Sequence, residues 1–204
     1  MKIPLRSIGG LFALVLVIGG CAGSMRTGAS WDVLVDGNTG LSNFNPVGDA
    51  NWRAEGGAIV ADRGKGGFLV SKQSYKDFQL RAEFWSEETT NSGIFIRLSD
   101  PATVTAQNSY EVNIYDRRPD PSFSTGAIVN VGKVPGTLKA AGKWNTFDIT
   151  ARGSRLIVVL NGVETVNAED GKFAQGPFAL QFGAGPEGSV AGGIKWRKVE
   201  IRNL

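Results

Sequence analysis

The sequence predicts an all-β domain, a sandwich or jelly roll, and three observations carry that prediction. From Trp31 onward the chain is Gly-rich, with 28 glycines in all, and is punctuated by turn dipeptides such as Asp36-Gly37, Asn161-Gly162 and Asp170-Gly171. The short runs between turns alternate apolar and polar residues with the period of two that a half-buried strand requires. No window of helical length carries a 3.6-residue apolar period, so nothing asks for a layer of helices.

The first residues read as a processing segment. Lys2 and Arg6 supply a basic start, and Leu11 to Ile18 an apolar stretch too short for a bilayer, which takes about 20 residues. Ile18-Gly19-Gly20-Cys21 resembles a bacterial lipobox, in which the chain is cut before the cysteine and its sulfur is acylated. Cys21 is the only cysteine in the chain, and a lone thiol in an exported protein otherwise invites stray oxidation. Residues 1–20 are therefore expected to be a lipoprotein signal peptide, and 21–30 a lipidated cysteine and small, polar tether. Residues 31–204 are expected to form one domain. Ala22 follows the cysteine where an aspartate would resemble an inner-membrane retention signal. The expected location is thus the cell envelope, lipid-anchored in an outer membrane and facing the periplasm.

The leader holds two of the 22 basic residues and none of the 19 acidic ones, so 20 basic and 19 acidic residues remain from Cys21 onward. With about one net positive charge and no Lys/Arg-rich run, nucleic-acid binding has no electrostatic footprint. Without a second cysteine, stability must come from packing.

Strands are expected at 78–84, 93–98, 110–115, 145–150, 156–160 and 178–182. Leu156 to Thr165 reads as a hairpin, because Asn161-Gly162 tolerates the positive φ of a type I′ turn. Asp116 to Ser124, with Pro119 and Pro121, reads as a loop over one end of the sheet. Alternation sets Phe78, Leu80, Ala82 and Phe84 against Gln79, Arg81, Glu83 and Trp85. It likewise sets Ile94, Ile96 and Leu98 against Phe95 and Arg97, and Tyr110, Val112 and Ile114 against Glu111, Asn113 and Tyr115. Gln181 opposes Leu180 and Phe182. If these strands share one sheet, a single face gathers Arg81, Glu83, Arg97, Glu111, Asn113 and Gln181 with three large aromatics. Such a mixture suits a sugar, whose C–H faces stack on rings while its hydroxyls take carboxylates, amides and guanidinium groups. The alternative is an ordinary solvated outer face.

Asn91-Ser-Gly-Ile-Phe-Ile-Arg97 and Tyr110-Glu-Val-Asn-Ile-Tyr-Asp116 resemble blocks of the 3-keto-disaccharide hydrolase domain family, which has a concanavalin A-like jelly-roll fold. The resemblance continues through Trp52-Arg-Ala-Glu-Gly-Gly-Ala-Ile59, Gly142-Lys-Trp-Asn-Thr-Phe147, Gly176-Pro-Phe-Ala-Leu-Gln181 and Lys198-Val-Glu-Ile-Arg-Asn-Leu204, covering nearly the whole domain. It implies a hydrolase acting on glycosides already oxidised at C3, by elimination and then hydration. Glu111 is then the expected base and Arg97 the group facing the enolate, with Glu83 and Asn113 positioning hydroxyls. Arg81, Gln181, Trp85, Tyr115 and Asn91 complete the expected substrate-binding set. A carboxylate beside arginines would be a weaker base unless burial offsets them. No cofactor and no metal site is expected, since no ligand spacing supports one.

Two departures stand out. Asn113 occupies a position where the family usually has glutamine. Phe182-Gly183-Ala184-Gly185 follows Gln181 where the family commonly shows His-Gly, and the chain has no histidine. A non-catalytic carbohydrate-binding lipoprotein of the same fold therefore stays open beside the hydrolase. A retaining glucanase would need paired carboxylates about 5–5.5 Å apart. The nearest pattern, Glu111 and Asp116, has opposite parity.

Overall fold

The structure, a computed structural model, describes Met1 and residues 30–185 and 191–204. The leader, Cys21 and all of the tether but Ser30 lie outside the described residues. The strands are β1 (Asp32–Asp36), β2 (Phe44–Ala50), β3 (Arg53–Glu55), β4 (Ala58–Ala61), β5 (Gly64–Ser71), β6 (Phe78–Ser86) and β7 (Ser92–Ile96). They continue as β8 (Tyr110–Ile114), β9 (Trp144–Arg152), β10 (Arg155–Leu160), β11 (Val163–Glu169), β12 (Ala179–Phe182) and β13 (Ile194–Asn203). Among the described residues the one helical element is a single 3-10 turn at Leu41–Asn43.

The strands form two antiparallel sheets of a concanavalin A-like jelly roll. The larger runs β11-β10-β9-β6-β13-β4-β3, with β1 also paired to β13; the smaller runs β2-β5-β12-β7-β8. Burial alternates along β6 residue by residue, so Phe78, Leu80, Ala82 and Phe84 face inwards as their parity predicts. Phe84 stacks on Phe147 of β9 at 5.0 Å and leans on Trp196 of β13 at 5.9 Å. Ile94, Val112, Ile114, Leu180 and Phe182 close the core from the smaller sheet. Side chains of this size, removed from water, each stabilise by about 1.5–3 kcal/mol before the ordering cost. The β10–β11 hairpin turns on Asn161 (φ 51°) and Gly162 (φ 82°), both left-handed as a type I′ turn demands.

Two expectations about faces are corrected. β6 lies in the larger sheet, paired with β9 and β13, whereas β7, β8 and β12 belong to the smaller one. Arg81, Glu83 and Trp85 therefore point out of the opposite side of the sandwich from Glu111, Asn113 and Gln181. Parity tells which side of its own sheet a residue takes, but not which sheet the strand joins.

Arg97 is the second correction. β7 ends at Ile96, and Arg97 takes a left-handed backbone (φ 55°) that breaks the alternation. Its side chain, 1% exposed, passes under the sheet end instead of joining Phe95 on the outer face. Nε donates to the Lys76 carbonyl (2.9 Å) and Nη1 to those of Gly153 (2.7 Å) and Phe173 (3.2 Å). Nη2 reaches the Lys76 carbonyl and Asp77 Oδ1 (3.2 Å). One planar fork thus ties together the β5–β6, β9–β10 and β11–β12 connections.

Replacing Arg97 by methionine should leave these carbonyls without donors and cost about 3 kcal/mol. For a domain of this size that is a fall in Tm of roughly 10 °C by thermal unfolding. Lysine, lacking the fork, should recover only part of it.

Candidate functional site

Outward positions of β7, β8 and β12 line a cavity of about 440 Å³ on the outer face of the smaller sheet. That volume suits a small polar ligand. Phe95 and Glu111 are cross-strand partners there, and Gly93 faces Asn113. A Cβ at Gly93 would sit 3.5 Å from Glu111 Cγ and 3.0 Å from the Val112 carbonyl, so the glycine keeps the floor beside Glu111 open. Phe95 itself is covered, packed edge-on to Phe68 at 5.4 Å within a small cluster with Val70, Leu98, Val104 and Ala179.

The walls come from loops. Thr105 and Gln107 rise from the connection between β7 and β8, and Tyr115, Arg118, Phe123 and Asn130 from the one after β8. Asn91 holds the rim: its Nδ2 donates to the Ala184 carbonyl (2.7 Å), and its own carbonyl accepts from Gly183 N (2.8 Å). The long loop is fixed by Asp116, which is buried and accepts from Thr125 Oγ1 (2.6 Å), Ala140 N (2.8 Å) and Ala141 N (2.9 Å). Lys139 Nζ donates to its carbonyl. The Thr125 hydroxyl oxygen also accepts from Tyr115 N at 2.9 Å.

Glu111 is the group whose chemistry the cavity alters most. Burial pushes its carboxyl up from 4.5 to about 7, against a smaller lowering by the Arg118 guanidinium. Arg118 lies over the Tyr115 ring (5.0 Å) and beside Phe123 (5.6 Å), which aims an otherwise free side chain across the opening. Two acceptors beside Glu111, Asn113 Oδ1 and Gln181 Oε1, are buried without a hydrogen-bond partner. Asn113 Nδ2 is already committed to the Phe123 carbonyl, so its oxygen is the part left for a ligand. Unpaired buried acceptors cost about 1–3 kcal/mol each, and a ligand hydroxyl would relieve that. The arrangement offers a base poised near neutrality, a cation facing it and acceptors for hydroxyl donors.

Of the expected residues, the structure brings together Glu111, Asn113, Gln181, Tyr115 and Asn91. Tyr115 supports Arg118 with its ring rather than baring it. Arg97 lies elsewhere, and Arg118 holds the place beside Glu111 that it was expected to take. Arg81, Glu83 and Trp85 are engaged on the far sheet: Arg81 with Asp148 (2.7 Å), Glu83 with Arg197, and Trp85 under Lys195 Nζ (4.6 Å). Sequence reasoning missed Arg118, Phe123 and Asn130. The available signal was the loop from Asp116 to Ser124, placed directly after the strand of Glu111. Asp116 points its carboxylate into the loop and does not pair with Glu111. Among the described residues no group of three or more His, Cys, Asp or Glu is gathered to hold a metal ion.

The family described as a 3-keto-alpha-glucoside-1,2-lyase-like domain matches residues 30–202 of the chain. A glycosyl hydrolase candidate from Parabacteroides distasonis is similar in structure at 24% identity, with a TM-score of 0.69 over 86% of this chain and 100% of that one. The carbohydrate binding module CBM66 from Bacillus subtilis is similar at 16% identity, with a TM-score of 0.57 over 87% of this chain and 98% of that one. The carbohydrate recognition domain of Emp46p follows at 11% identity, with a TM-score of 0.59 over 86% and 100%. These likenesses concern the fold. No curated protein sequence matches the chain.

Because the folded state holds the Glu111 proton more tightly than the unfolded chain, the stability this provides is full below about pH 4.5. It is lost as pH rises through about 7. Glu111→Gln should therefore stabilise the domain by roughly 2–3 kcal/mol at pH 8 and change it little at pH 4, as measured by denaturant unfolding at both values.

Proposed function

Because the chain belongs to the 3-keto-alpha-glucoside-1,2-lyase-like domain family, a family of carbohydrate-directed domains, we propose that this cavity binds a glycoside oxidised to a ketone at C3 and cleaves its C1–O bond. The observation that carries the reading is Glu111: a carboxyl held near neutrality by burial, on the floor of a polar cavity with unsatisfied acceptors beside it. The C3 ketone acidifies the proton on C2. Glu111 takes that proton, and the electron pair of the C–H bond moves onto the C3 oxygen as an enolate, which the Arg118 guanidinium stabilises. Collapse of the enolate forms the C1–C2 double bond and expels the C1 substituent, whose oxygen takes a proton. Water then adds, hydroxyl to C1 and proton to C2, so the net change is hydrolysis. Asn113 Oδ1 and Gln181 Oε1 accept from ring hydroxyls, and the half-buried Phe123 ring lies against the sugar's C–H face.

A specific observation favours carbohydrate binding without turnover as a second reading. Where the family commonly shows His-Gly, Phe182 is sealed in the core and Gly183 packs on Asn91, so no second proton-transfer group enters the cavity there. Glu111 would have to serve both proton transfers. The lipobox-like Ile18–Cys21 supports the remaining part of the proposal, a lipid on Cys21 that holds the domain in the cell envelope, at an outer membrane and facing the periplasm.

Incubation with 3-keto-trehalose or 3-keto-glucosides should release the 3-keto monosaccharide. Its kcat/KM should rise with pH through about 7 as Glu111 ionises, then level off. Glu111→Gln should lower kcat by about a thousandfold, and Arg118→Met by about a hundredfold. Full activity of the glutamine variant would remove Glu111 from the reaction, and glycan binding without turnover by the wild type would decide for the second reading. Labelled palmitate should enter the chain in its bacterial host and be lost in Cys21→Ser; unchanged labelling would sink the anchor.

A further inference from the structure

The cavity that holds Glu111 borders on a second one whose chemistry differs from its own. That second space, of about 470 Å³, meets the first at Phe123 and Asn130, which line both. Val131, Ile128 and Ser122 supply more of its wall, and the exposed Lys133 stands at its rim. Hydrogen bonds fix both arms of the loop that encloses it. Val134 N donates to the Pro121 carbonyl (3.1 Å), which ties the arm of Ser122 and Phe123 to that of Val131 and Lys133. The second arm closes on itself, Ile128 N donating to the Gly132 carbonyl (2.9 Å) and Gly132 N to that of Ile128 (2.8 Å). Asn130 sits in this turn with a left-handed backbone (φ 64°), which asparagine tolerates better than most residues. Gly132 lets the turn lie against β11, because a Cβ there would come within 2.4 Å of Val166 Cγ1.

The two spaces ask for different ligands. Beside Glu111, the buried oxygens of Asn113 and Gln181 stand without partners and call for hydroxyl donors. Among the described residues, the second cavity has no such buried, unpartnered side-chain atom, and its wall is more apolar than polar. A flat ring set against Phe123 and Val131 would bury C–H surface there without leaving a hydroxyl unpaired. The ammonium of Lys133 favours a group that carries negative charge at some stage.

When the enolate formed at Glu111 collapses, the C1–O bond breaks and its electron pair stays on the substituent's oxygen. A sugar alkoxide needs a proton as it departs. A phenol, with the acidity of a tyrosine at about pH 10, departs as phenoxide and takes its proton from water afterwards. Phe182 is sealed in the core and Gly183 packs on Asn91, so a substituent that leaves unprotonated matches the site. Resting on that reading of Glu111, we propose that the second cavity holds the group leaving C1, and that this group is an aromatic alcohol rather than a second sugar. Phe123 then separates the oxidised sugar from the aglycone, and Val131 backs the aromatic ring. Lys133 offsets the charge of the phenoxide as it forms.

Affinity is read apart from turnover in the full chain carrying Glu111→Gln, titrated by calorimetry with three α-linked ligands. These are the methyl and phenyl 3-keto-glucosides and 3-keto-trehalose. The phenyl glycoside should bind about tenfold more tightly than the methyl one, and 3-keto-trehalose no more tightly than the methyl one. The ratio of phenyl to methyl affinity should fall towards one when Val131→Asn is added. Ser122→Glu should lower it likewise, and serves if the asparagine variant does not fold. Equal affinity for phenyl and methyl, tighter binding of 3-keto-trehalose, or a ratio indifferent to both substitutions would overturn the proposal. Turnover of the methyl glycoside by the wild type shows that the reading of Glu111 stands whatever that ratio is. If the wild type turns over none of the three and none binds, that reading fails and the present one with it.

Discussion

The buried carboxylate of Asp116 is the interaction on which the site depends. A sheet face by itself is flat, and β7, β8 and β12 alone would offer Glu111 to bulk water. The cavity exists because the chain after β8 folds back over that face. The return is fixed where Asp116 accepts from Thr125 and from the backbone of Ala140 and Ala141. Charge-assisted acceptance by one carboxylate at both ends of a long connection closes a loop that carries Arg118, Phe123 and Asn130. The desolvation that raises Glu111 is thus produced partly by a group five residues further along the chain.

The two outer faces solve the problem of charge in opposite ways. On the larger sheet, carboxylates and cations face each other across strands, as Arg81 does with Asp148 and Glu200. On the smaller sheet, Glu111 has a cation near it without close pairing, and burial outweighs that attraction. The first arrangement sets carboxylates against cations at close range. The second leaves one that exchanges its proton near neutrality, at a cost to stability that a merely structural carboxylate would not carry.

Arg97 shows how the right chemistry can be put to another use. It stands one residue after β7, with the parity of Phe95, and a guanidinium there would suit an enolate. The backbone instead turns left-handed, and every donor is taken by carbonyls and Asp77 beneath the sheet end. Gly176 allows this turn, since a Cβ there would lie 2.1 Å from the Leu98 carbonyl oxygen. A single reversal of φ thus moved an arginine from the cavity to the framework, and left its place to one from a loop.

The sequence by itself determined what is local and periodic. It set the strands from β6 to β10 and β12, the inward face of each, the Asn161-Gly162 turn, and the shared outward parity of Glu111 and Asn113. Each of these follows from alternation over a few residues or from the φ that a turn residue tolerates. Only the tertiary structure decided which strands share a sheet, because pairing β6 with β9 and β13 joins residues far apart in the chain, such as Phe78 with Ala151 and Leu80 with Ile201. That choice sent Arg81, Glu83 and Trp85 to one side of the sandwich and Glu111, Asn113 and Gln181 to the other. The raised carboxyl of Glu111 and the placing of Arg118 also required the fold, since desolvation depends on everything packed around a group and no spacing along a chain encodes it.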